Sequence, residues 1–416
     1  MRWLIFGLAC FASWLLYLHR YAWGVIKADF SSENPDFTPV DLGWLDSAFL
    51  ATYALGQIPS GLACDRFGAR VVLAILSLVW SPASACVAWT SGFWRLIGAR
   101  GVFGLAQAGV YPVLNKMTRD WFPLATRTTV QGVVTALGRI GGACAPIMVA
   151  YLLMGKLELS WQAALLIVSV PGVAFAVVFW LAARDTPRQH PWVNPPEAEL
   201  IEAGTGRPSS TQRPALLLTT ASGFSLAMIL LYIFASTFQD QFYVYWLPQF
   251  LKDGKGFDNE MMGLYAPLPL LGGALGGILG GVLNDVLIRR WGNRRWARSM
   301  VAFTGKFLAA ALVVLSLQAD DGRLIMLVLV AARVFGDWSL PTQWAAVTDM
   351  GGRAAATLFG LVNMVGIIGG FVAGPVFGRL RQEYGWDGLF YGVAAMCLVA
   401  AVTWLFIDRT RRLVSD

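Results

Sequence analysis

The sequence contains little charge: Asp, Glu, Lys and Arg together make up 14% of its 416 residues. Soluble domains carry about 25% charged residues and about 45–50% apolar residues with glycine included. This chain is 56% hydrophobic before its 44 glycines are counted. A soluble protein of that composition would expose large apolar patches and aggregate. The composition therefore indicates a polytopic membrane protein.

Cysteine and histidine are also scarce, and this limits the chemistry open to the chain. The five cysteines show no CxxC spacing and lie in or beside apolar runs, so they predict neither disulfides nor a zinc site. Only two histidines are present, and the sequence has no GxSxG, HExxH or P-loop motif. We therefore expect no enzymatic activity, no metal, no cofactor and no ATP-driven step.

Long apolar runs recur along the whole chain. A membrane-spanning helix needs about 20 mostly apolar residues, and this length predicts twelve spans. The first run is too long for the core of a signal peptide and lacks a cleavage site, so we expect it to be retained. The predicted spans lie near 3–28, 42–63, 71–91, 96–116, 129–154, 161–183, 222–250, 262–284, 299–318, 323–346, 356–378 and 386–407.

The longest polar stretch, residues 184–213, divides the predicted spans six and six. Its proline, serine and charge predict a linker between an N-terminal bundle, residues 1–183, and a C-terminal bundle, residues 214–416. Lys and Arg are concentrated in the segments that are cytoplasmic if the N-terminus is inside. We therefore expect both termini and the linker in the cytoplasm, with the bundles in the lipid bilayer of a bacterial inner membrane. The net charge of +7 reflects this topology and not nucleic-acid binding.

Two sets of residues occur twice along the chain. The stretch "GQIPSGLACDRFGAR" at 56–70 returns as "GGILGGVLNDVLIRRWG" at 276–292. Small residues let helix backbones approach closely, and two parallel halves predict a substrate site at their interface near the bilayer midplane. In the second set, Thr129, Gly132, Gly141 and Gly142 of the fifth span match Thr357, Gly360, Gly369 and Gly370 of the eleventh.

The stretch at 56–70 resembles the loop between the second and third helices of the major facilitator superfamily, and the resemblance covers essentially the whole chain. It implies an all-α fold of twelve transmembrane helices in two pseudo-symmetric six-helix bundles, which works by alternating access as a monomer. In that family an acid and arginines form a cytoplasmic latch that stabilises the outward-open state. The resemblance assigns this latch to Gly61, Asp65, Arg66, Gly68 and Arg70, with Asp285 in the second copy.

Further stretches resemble the anion:cation symporter branch, which includes hexuronate, galactonate and glucarate transporters, sialin and vesicular glutamate carriers. Its substrates are small organic anions, mostly carboxylates. The resemblance implies that Arg20, Arg100 and Asn363 contact the substrate, and Tyr17 and Gln107 are further binding candidates. The stretches are "YLHRYAWGVI", "RGVFGLAQAGVYPVLNKMTRDWFP", "YWLPQFL" and "FGLVNMVGIIGGFVAGP".

The buried arginines support an anionic substrate on physical grounds. A charge near the bilayer centre costs at least a few kcal/mol, so it persists mainly where it lines a wet cavity or has a partner. Arg20 and Arg139 lie deep in their spans, and a guanidinium holds a carboxylate through two parallel hydrogen bonds. Structural pairing is the alternative for both, and also for Arg100. Lys306 and Arg333 lie near span ends, from which we expect them to reach the membrane surface.

The coupling residues depart from those of proton-coupled relatives. These relatives carry an acid just before the first-span arginine and another seven residues after the fourth-span arginine, where this chain has His19 and Gln107. Gln107 cannot titrate, and adjacent Arg20 disfavours protonation of His19. Asp240 is the second candidate proton carrier, with an ion pair to an arginine as its alternative. The coupling ion stays open between proton and sodium, and so does a facilitator or exchanger without coupling.

Two other functions remain open alongside a secondary transporter of a small organic anion. An organophosphate:phosphate antiporter also uses buried arginines without an essential acid, but it requires a basic site shared between the halves. Here Arg20, Arg100 and Arg139 all lie in the first half, with Arg333 in the second. A membrane receptor that transports nothing would not need a duplicated latch motif. The sequence therefore favours symport of a carboxylate.

Overall fold

The computed structural model describes residues 1–203, 220–351 and 355–407, and all regular structure in these ranges is helical. Helices are expected because hydrocarbon offers no partner for a backbone N–H or C=O, so each must be paired within its own segment. The helices of the first half are α1 (Arg2–Glu33), α2 (Pro39–Phe67), α3 (Ala69–Cys86), α4 (Phe93–Ala108), α5 (Val110–Trp121), α6 (Leu124–Pro146), α7 (Trp161–Ala182) and the linker helix α8 (Pro195–Ala203).

The second half has the same helical character. Two of the long helices continue as π-helix: α6 extends through Ile147–Lys156, and the helix after the linker extends to Gly254. Its helices are α9 (Thr220–Gln241), α10 (Leu247–Gln249), α11 (Asn259–Tyr265), α12 (Leu268–Trp291), α13 (Arg294–Ser316), α14 (Gly322–Gly336), α15 (Ser339–Gly351) and α16 (Ala355–Phe406).

The long apolar helices support a chain that crosses the membrane several times. Within the described ranges, nine helices are long and apolar enough to cross a membrane. One of them, Leu358–Phe406, has 49 residues, far more than the about 20 that a single span needs. Gly385 interrupts it with a φ of 69°, a left-handed conformation that glycine adopts without steric cost. The all-helical, multi-pass prediction is confirmed, and the count of twelve spans stays a prediction.

The chain divides into two compact units. The first unit consists of Met1–Asn34, Ala48–Ser210 and Asp258–Leu264. The second consists of Pro35–Ser47, Thr211–Phe257 and Tyr265–Asp416. The domain boundaries at residues 183 and 214 remain predictions from the sequence.

The internal repeat is present in the packing of each unit. In the first unit, α6 crosses α1 at Gly141, where an added Cβ would lie 2.9 Å from Trp14 Cα. In the second unit, α16 crosses α9 at Gly369, where an added Cβ would lie 3.0 Å from Phe234 Cα. Both glycines let two helix backbones touch, and they occupy matching positions of the repeat. The repeated glycines thus mark equivalent helix crossings.

The start of the linker is fixed to the first unit by hydrogen bonds. His190 Nε2–H donates to the carbonyl of Ala182 at 2.9 Å, while its Nδ1 accepts from the backbone N–H of Trp192 at 3.2 Å. The indole N–H of Trp121 donates to the carbonyl of Arg184 at 3.0 Å. Both ring nitrogens of His190 are therefore used, so this histidine has a structural role as a neutral side chain.

The linker helix α8 is held through Glu197. Its carboxylate accepts hydrogen bonds from the amino group of Met1 and from the backbone N–H of Arg2, each at 3.0 Å. Burial alone would raise the pKa of Glu197, but these hydrogen bonds and the neighbouring positive charge lower it below its usual value. The ionised carboxylate thus lies at the N-terminus of α1, where the helix dipole favours negative charge.

The α1–α6 crossing gives a test of this packing. Gly141→Ala places a methyl group against the backbone of Trp14, so we expect a loss of about 1–3 kcal/mol in stability, as for other overpacked sites. Gly132→Ala is the matched control, because no atom lies within 4 Å of its Cβ position. Thermal unfolding in detergent should show a lower Tm for Gly141→Ala and an unchanged or higher Tm for Gly132→Ala. Equal Tm values for the two variants would contradict the crossing.

Candidate functional site

Arg20 lies near the middle of α1 and is surrounded by aromatic rings of the first unit. Its guanidinium carbon lies 5.0 Å from the ring centre of Tyr17, 5.0 Å from that of Phe49 and 4.5 Å from that of Tyr53. Its Nε–H donates to Gln107 Oε1 at 3.2 Å. Rings near a guanidinium attract its positive charge through their π-faces. These neutral neighbours therefore stabilise a cation inside the bundle while adding no negative charge.

Gln107 fixes the orientation of Arg20. Its side chain is fully buried in α4, and its Nε2–H donates to the carbonyl of Leu16 at 3.1 Å. This bond leaves Oε1 directed at Arg20 Nε. Both ends of the amide are therefore used, so the carboxamide cannot rotate without losing hydrogen bonds inside the bundle. Gln107 acts as a positioning residue for Arg20, and it is neutral at every pH.

Arg100 is deeply buried, with 3% of its surface exposed. Its guanidinium carbon lies 5.1 Å from the ring centre of Trp23, 5.3 Å from that of Phe49 and 5.8 Å from that of Phe103. A cavity of about 10 Å³ lies beside it, lined in part by His19. That volume is about the minimum for one water molecule, so this cavity cannot hold an organic anion. The surroundings of Arg100 favour a structural role.

His19 packs inside the first unit. Its side chain is buried, and Nε2 lies 2.8 Å from the carbonyl oxygen of Val168. Because a carbonyl only accepts, Nε2 must carry the hydrogen of this bond. The ring also meets Trp80 edge-on at 6.5 Å between centroids, and Gly172 leaves the space that the ring fills. A role for His19 in coupling stays a prediction.

Two other predicted binding residues lie on exposed surfaces of their units. Arg139 of α6 is exposed, and no hydrogen bond or ion pair involves its side chain within the described ranges. Asn363 of α16 is also exposed. Neither side chain is buried within its own unit. Their contact with a substrate stays a prediction.

The second unit contains a cluster of buried charges. Asp240 of α9 forms an ion pair with Arg333 of α14, whose other terminal nitrogen lies 3.3 Å from Asp337 Oδ2. Lys306 of α13 is 1% exposed, and its ammonium donates to Ser236 Oγ at 2.9 Å. The prediction that Lys306 and Arg333 reach the membrane surface was therefore wrong. Polar partners inside the bundle solvate both cations instead.

Sequence reasoning missed three buried charged residues. Lys27 in α1 and Asp46 in α2 are buried, and so is Asp337 at the end of α14. All three lie inside predicted apolar spans, where a charge is costly and for that reason informative. Asp337 also follows Arg333 by four residues, a spacing that brings two side chains together on one helix face. The charge inside an apolar span and the four-residue spacing could both have been read from the sequence.

The first part of the predicted latch is exposed. Asp65 has 71% of its side chain exposed, and its Oδ1 lies 3.6 Å from the ammonium of Lys116 on α5. A cavity of about 280 Å³ lies beside this pair, and Gly61 contributes to its lining. Arg66 is exposed and packs against the neighbouring ring of Phe67 at 5.3 Å. Within the described ranges, the ion pair of Asp65 is thus with Lys116 and not with an arginine of its own motif.

The second part of the motif connects α3 with the end of α7. The backbone N–H of Arg70 donates to Asp185 Oδ1 at 2.9 Å, so Asp185 caps the first turn of α3. The Arg70 Nε–H donates to the carbonyl of Trp180 at 2.8 Å. Gly68 has a φ of 86°, and an added Cβ would overlap the carboxylate of Asp185. Glycine is therefore required here by both conformation and space.

The second copy of the motif has the same division into exposed and buried residues. Asp285 of α12 is exposed, as Asp65 is in the first copy. Its neighbour Asn284 is buried, and the amide of Asn284 donates to Thr342 Oγ1 at 2.8 Å. In both copies the acid faces outward. The role of these residues as a latch stays a prediction.

Comparisons with known proteins agree with the all-helical, multi-pass fold. Residues 3–374 match the sequence profile of the Major Facilitator Superfamily. The chain is 29% identical over 412 residues to a probable sulfoacetate transporter of Cupriavidus necator, covering 98% of this chain and 94% of that protein. It is 25% identical to a D-galactonate transporter of Escherichia coli, covering 94% and 92%. The crystal structure of a D-xylose-proton symporter matches with a TM-score of 0.76 at 15% identity, covering 98% of each chain.

The two parts of the motif should differ in their effect on stability. Asp185→Ala removes the acceptor at the start of α3, so we expect a loss of about 1 kcal/mol, as for other lost helix caps. Asp65→Ala breaks an exposed pair, for which the expected change is below about 0.5 kcal/mol. Thermal unfolding of the two variants in the same detergent checks this difference. An Asp65→Ala variant that is less stable than Asp185→Ala would refute the assignment.

Proposed function

Because the chain belongs to the major facilitator superfamily, we propose that it is a secondary transporter that moves a small organic anion across the membrane by alternating access. Members of this family are transporters and not enzymes. Several relatives of the chain are named for acids: sulfoacetate, galactonate, and galactarate or glucarate. Each of these molecules carries at least one carboxylate. This shared group is the part of the substrate that we assign to a binding residue.

The observation that carries this proposal is the position of Arg20. A guanidinium in the middle of a membrane span is costly, yet aromatic faces and the amide of Gln107 hold it in a fixed orientation. The aromatic neighbours attract the positive charge of the guanidinium. The N–H donors of the guanidinium lie in its own plane. Such a group binds a carboxylate or sulfonate through parallel charge-assisted hydrogen bonds. We therefore assign the acid group of the substrate to Arg20.

The other predicted binding residues support this assignment in different ways. Gln107 orients Arg20, and the rings of Tyr17 and Tyr53 pack against its guanidinium. Arg100 also packs on Phe49, so the two arginines share this aromatic ring.

A carboxylate is favoured over an organophosphate. A phosphate carries up to two charges and is commonly held by a cluster of basic groups. The second half offers Arg333 and Lys306, and the carboxylates of Asp240 and Asp337 lie against Arg333. Those acids would repel a phosphate. We also propose a bacterial inner membrane with cytoplasmic termini, because Lys and Arg are concentrated in the segments assigned to that side.

Uptake into proteoliposomes tests the proposed function. The purified protein would be assayed with labelled sulfoacetate, D-galactonate, D-glucarate and D-glucuronate, with D-glucose as the neutral counterpart of glucuronate. We expect saturable uptake of one or more of the acids and none of glucose. Protein-free liposomes give the background. Glucose transport as fast as that of its uronate, or no uptake of any acid, would refute an organic-anion transporter.

Arg20→Lys should strongly reduce transport. Lysine keeps the charge but replaces the planar fork by a single ammonium, so it loses a second parallel hydrogen bond to the acid group. A lost charge-assisted hydrogen bond corresponds to about 1.5–3 kcal/mol, or roughly 10- to 150-fold in kcat/KM. Arg95→Lys, at an exposed position of α4, is the matched control and should transport normally. An Arg20→Lys variant with wild-type kinetics would rule out the contact.

Gln107→Glu should make substrate affinity depend on pH. An ionised glutamate at this position would pair with Arg20 and compete with the substrate acid, so affinity should fall as pH rises and recover as the carboxyl is protonated. We expect a decrease of about 5- to 150-fold at the alkaline end, the usual size of coupling between two sites. Gln107→Leu removes the orienting bond without adding charge, so it lacks this added decrease and its affinity should depend on pH as that of the wild type does. A pH profile of Gln107→Glu no steeper than that of Gln107→Leu would show that Arg20 does not contact the anion.

A further inference from the structure

The charge cluster of the second unit has a composition that the proposed substrate site does not explain. Arg333 has a carboxylate on two sides, from Asp240 on α9 and from Asp337 one turn further along the chain. Lys306 of α13 interacts electrostatically with both acids. These four groups carry two positive and two negative charges, so they balance when all are ionised. Arg333 nevertheless contacts two acids directly, whereas a simple ion pair needs only one.

The two carboxylates of the cluster differ in how they are held. Asp337 and Arg333 lie four residues apart at the end of one helix, and the backbone there fixes their distance. An added Cβ at Gly273 of α12 would overlap Asp337 and lie 3.0 Å from Arg333 Nε, so this pair is confined from the opposite side. The ring of Tyr243 covers Arg333 at 5.1 Å. Asp240 belongs to a different helix, and its contact with Arg333 can break without moving the Arg333–Asp337 pair.

The two carboxylates also differ in their exposure. The side chain of Asp240 is 36% exposed, whereas that of Asp337 is 12% exposed. Asp240 is therefore the less enclosed of the two acids. Protonation of a carboxylate that is the only partner of a buried arginine leaves an uncompensated charge, which is strongly unfavourable. Asp337 prevents this, because Arg333 keeps one counter-ion when Asp240 becomes neutral.

We propose that Asp240 binds the coupling proton of this transporter and that Asp337 makes this possible by retaining Arg333. This inference rests on the proposed transport function. A proton from water adds to the carboxylate of Asp240, its ion pair with Arg333 breaks, and the resulting O–H can still donate a hydrogen bond. Loss of the proton restores the pair. The net charge of the four groups changes from zero to +1 on protonation. Coupling requires that the anion binds this protonated state more tightly, and by linkage a bound anion then favours the proton.

The remaining groups around Asp240 are suited to this role. The ammonium of Lys306 is held by Ser236 and lies 5.8 Å from the ring centre of Tyr232. This ammonium supplies the second positive charge of the cluster. The hydroxyl of Tyr232 donates to Ser339 Oγ at 2.7 Å. Its proton is therefore committed to a hydrogen bond.

A thiol also faces the cluster. Cys397 of α16 interacts electrostatically with Asp240, Lys306 and Arg333. Its S–H donates to Gln239 Oε1 at 2.6 Å, so the thiol proton is used as well. Carboxylates titrate at far lower pH than a thiol or a phenol. We therefore assign the exchangeable proton neither to the thiol of Cys397 nor to the phenol of Tyr232.

The experiment compares exchange with accumulation in proteoliposomes. Exchange of labelled for unlabelled sulfoacetate, or for the acid of the panel above that is taken up fastest, is measured at equal pH on both sides. Accumulation is measured under an imposed pH gradient. The variants are Asp240→Asn, Asp337→Asn and Asp337→Glu. Glu383→Gln is the matched control, because Glu383 and Arg379 form an exposed acid–arginine pair with the same four-residue spacing.

Asp240→Asn should exchange substrate but no longer accumulate it. Asp337→Asn leaves Arg333 dependent on Asp240 alone, so the proton binds more weakly, and the pH midpoint of exchange should move down by about one unit or more. Asp337→Glu should restore the midpoint, and Glu383→Gln should behave as wild type. A solely structural Asp337 would lower yield and rate without moving the midpoint.

Accumulation by Asp240→Asn against its gradient, or an unchanged midpoint in Asp337→Asn, would overturn the inference. If Asp240→Asn does not fold, the pH midpoint of exchange by Asp337→Asn decides whether the inference holds. A wild-type protein that exchanges no acid would instead refute the proposed function, so the two failures are distinguishable.

Discussion

The cost of placing charge in a low-dielectric interior governs the arrangement of the polar residues in this protein. A cation inside a membrane bundle needs either a counter-ion or neutral groups that replace water. The first unit surrounds Arg20 and Arg100 with aromatic faces, which share Phe49, and holds Arg20 with a carboxamide. The second unit gives Arg333 two carboxylates. The neighbours described here thus differ between the units: aromatic rings and an amide in the first, and carboxylates in the second.

These two arrangements suit different ligands. Aromatic rings and an amide hold an arginine in place without adding negative charge, so an arriving carboxylate meets no repulsion from them. Carboxylates around an arginine repel an anion, but one of them can exchange a proton while the other keeps the pair intact. The absence of a titratable group at position 107 therefore does not exclude proton coupling. Asp240 in the second unit is the location that we propose for the proton instead.

The sequence predicted the helical, multi-pass fold because apolar runs and glycine positions are local signals. Gly141 and Gly369 were matched by spacing alone, and the structure shows why: each is the point where two helix backbones touch. The orientation of side chains could not be predicted in this way. Arg333 and Lys306 lie near span ends, and only the positions of α9, α13 and α14 show that their charged groups point into the bundle. Gln107 was recognised as an unusual residue, but its bond to Arg20 depends on the packing of α1 against α4.

A structure of the protein with a bound acid tests the central claim most directly, which is that Arg20 holds the acid group of the substrate. A cryo-electron microscopy map in the presence of saturating sulfoacetate, or of the best acid of the panel, would locate the ligand. The account predicts a carboxylate or sulfonate within hydrogen-bonding distance of the Arg20 guanidinium, with Gln107 still accepting from Arg20 Nε. An acid group bound away from Arg20, with the guanidinium contacting only protein, would contradict it.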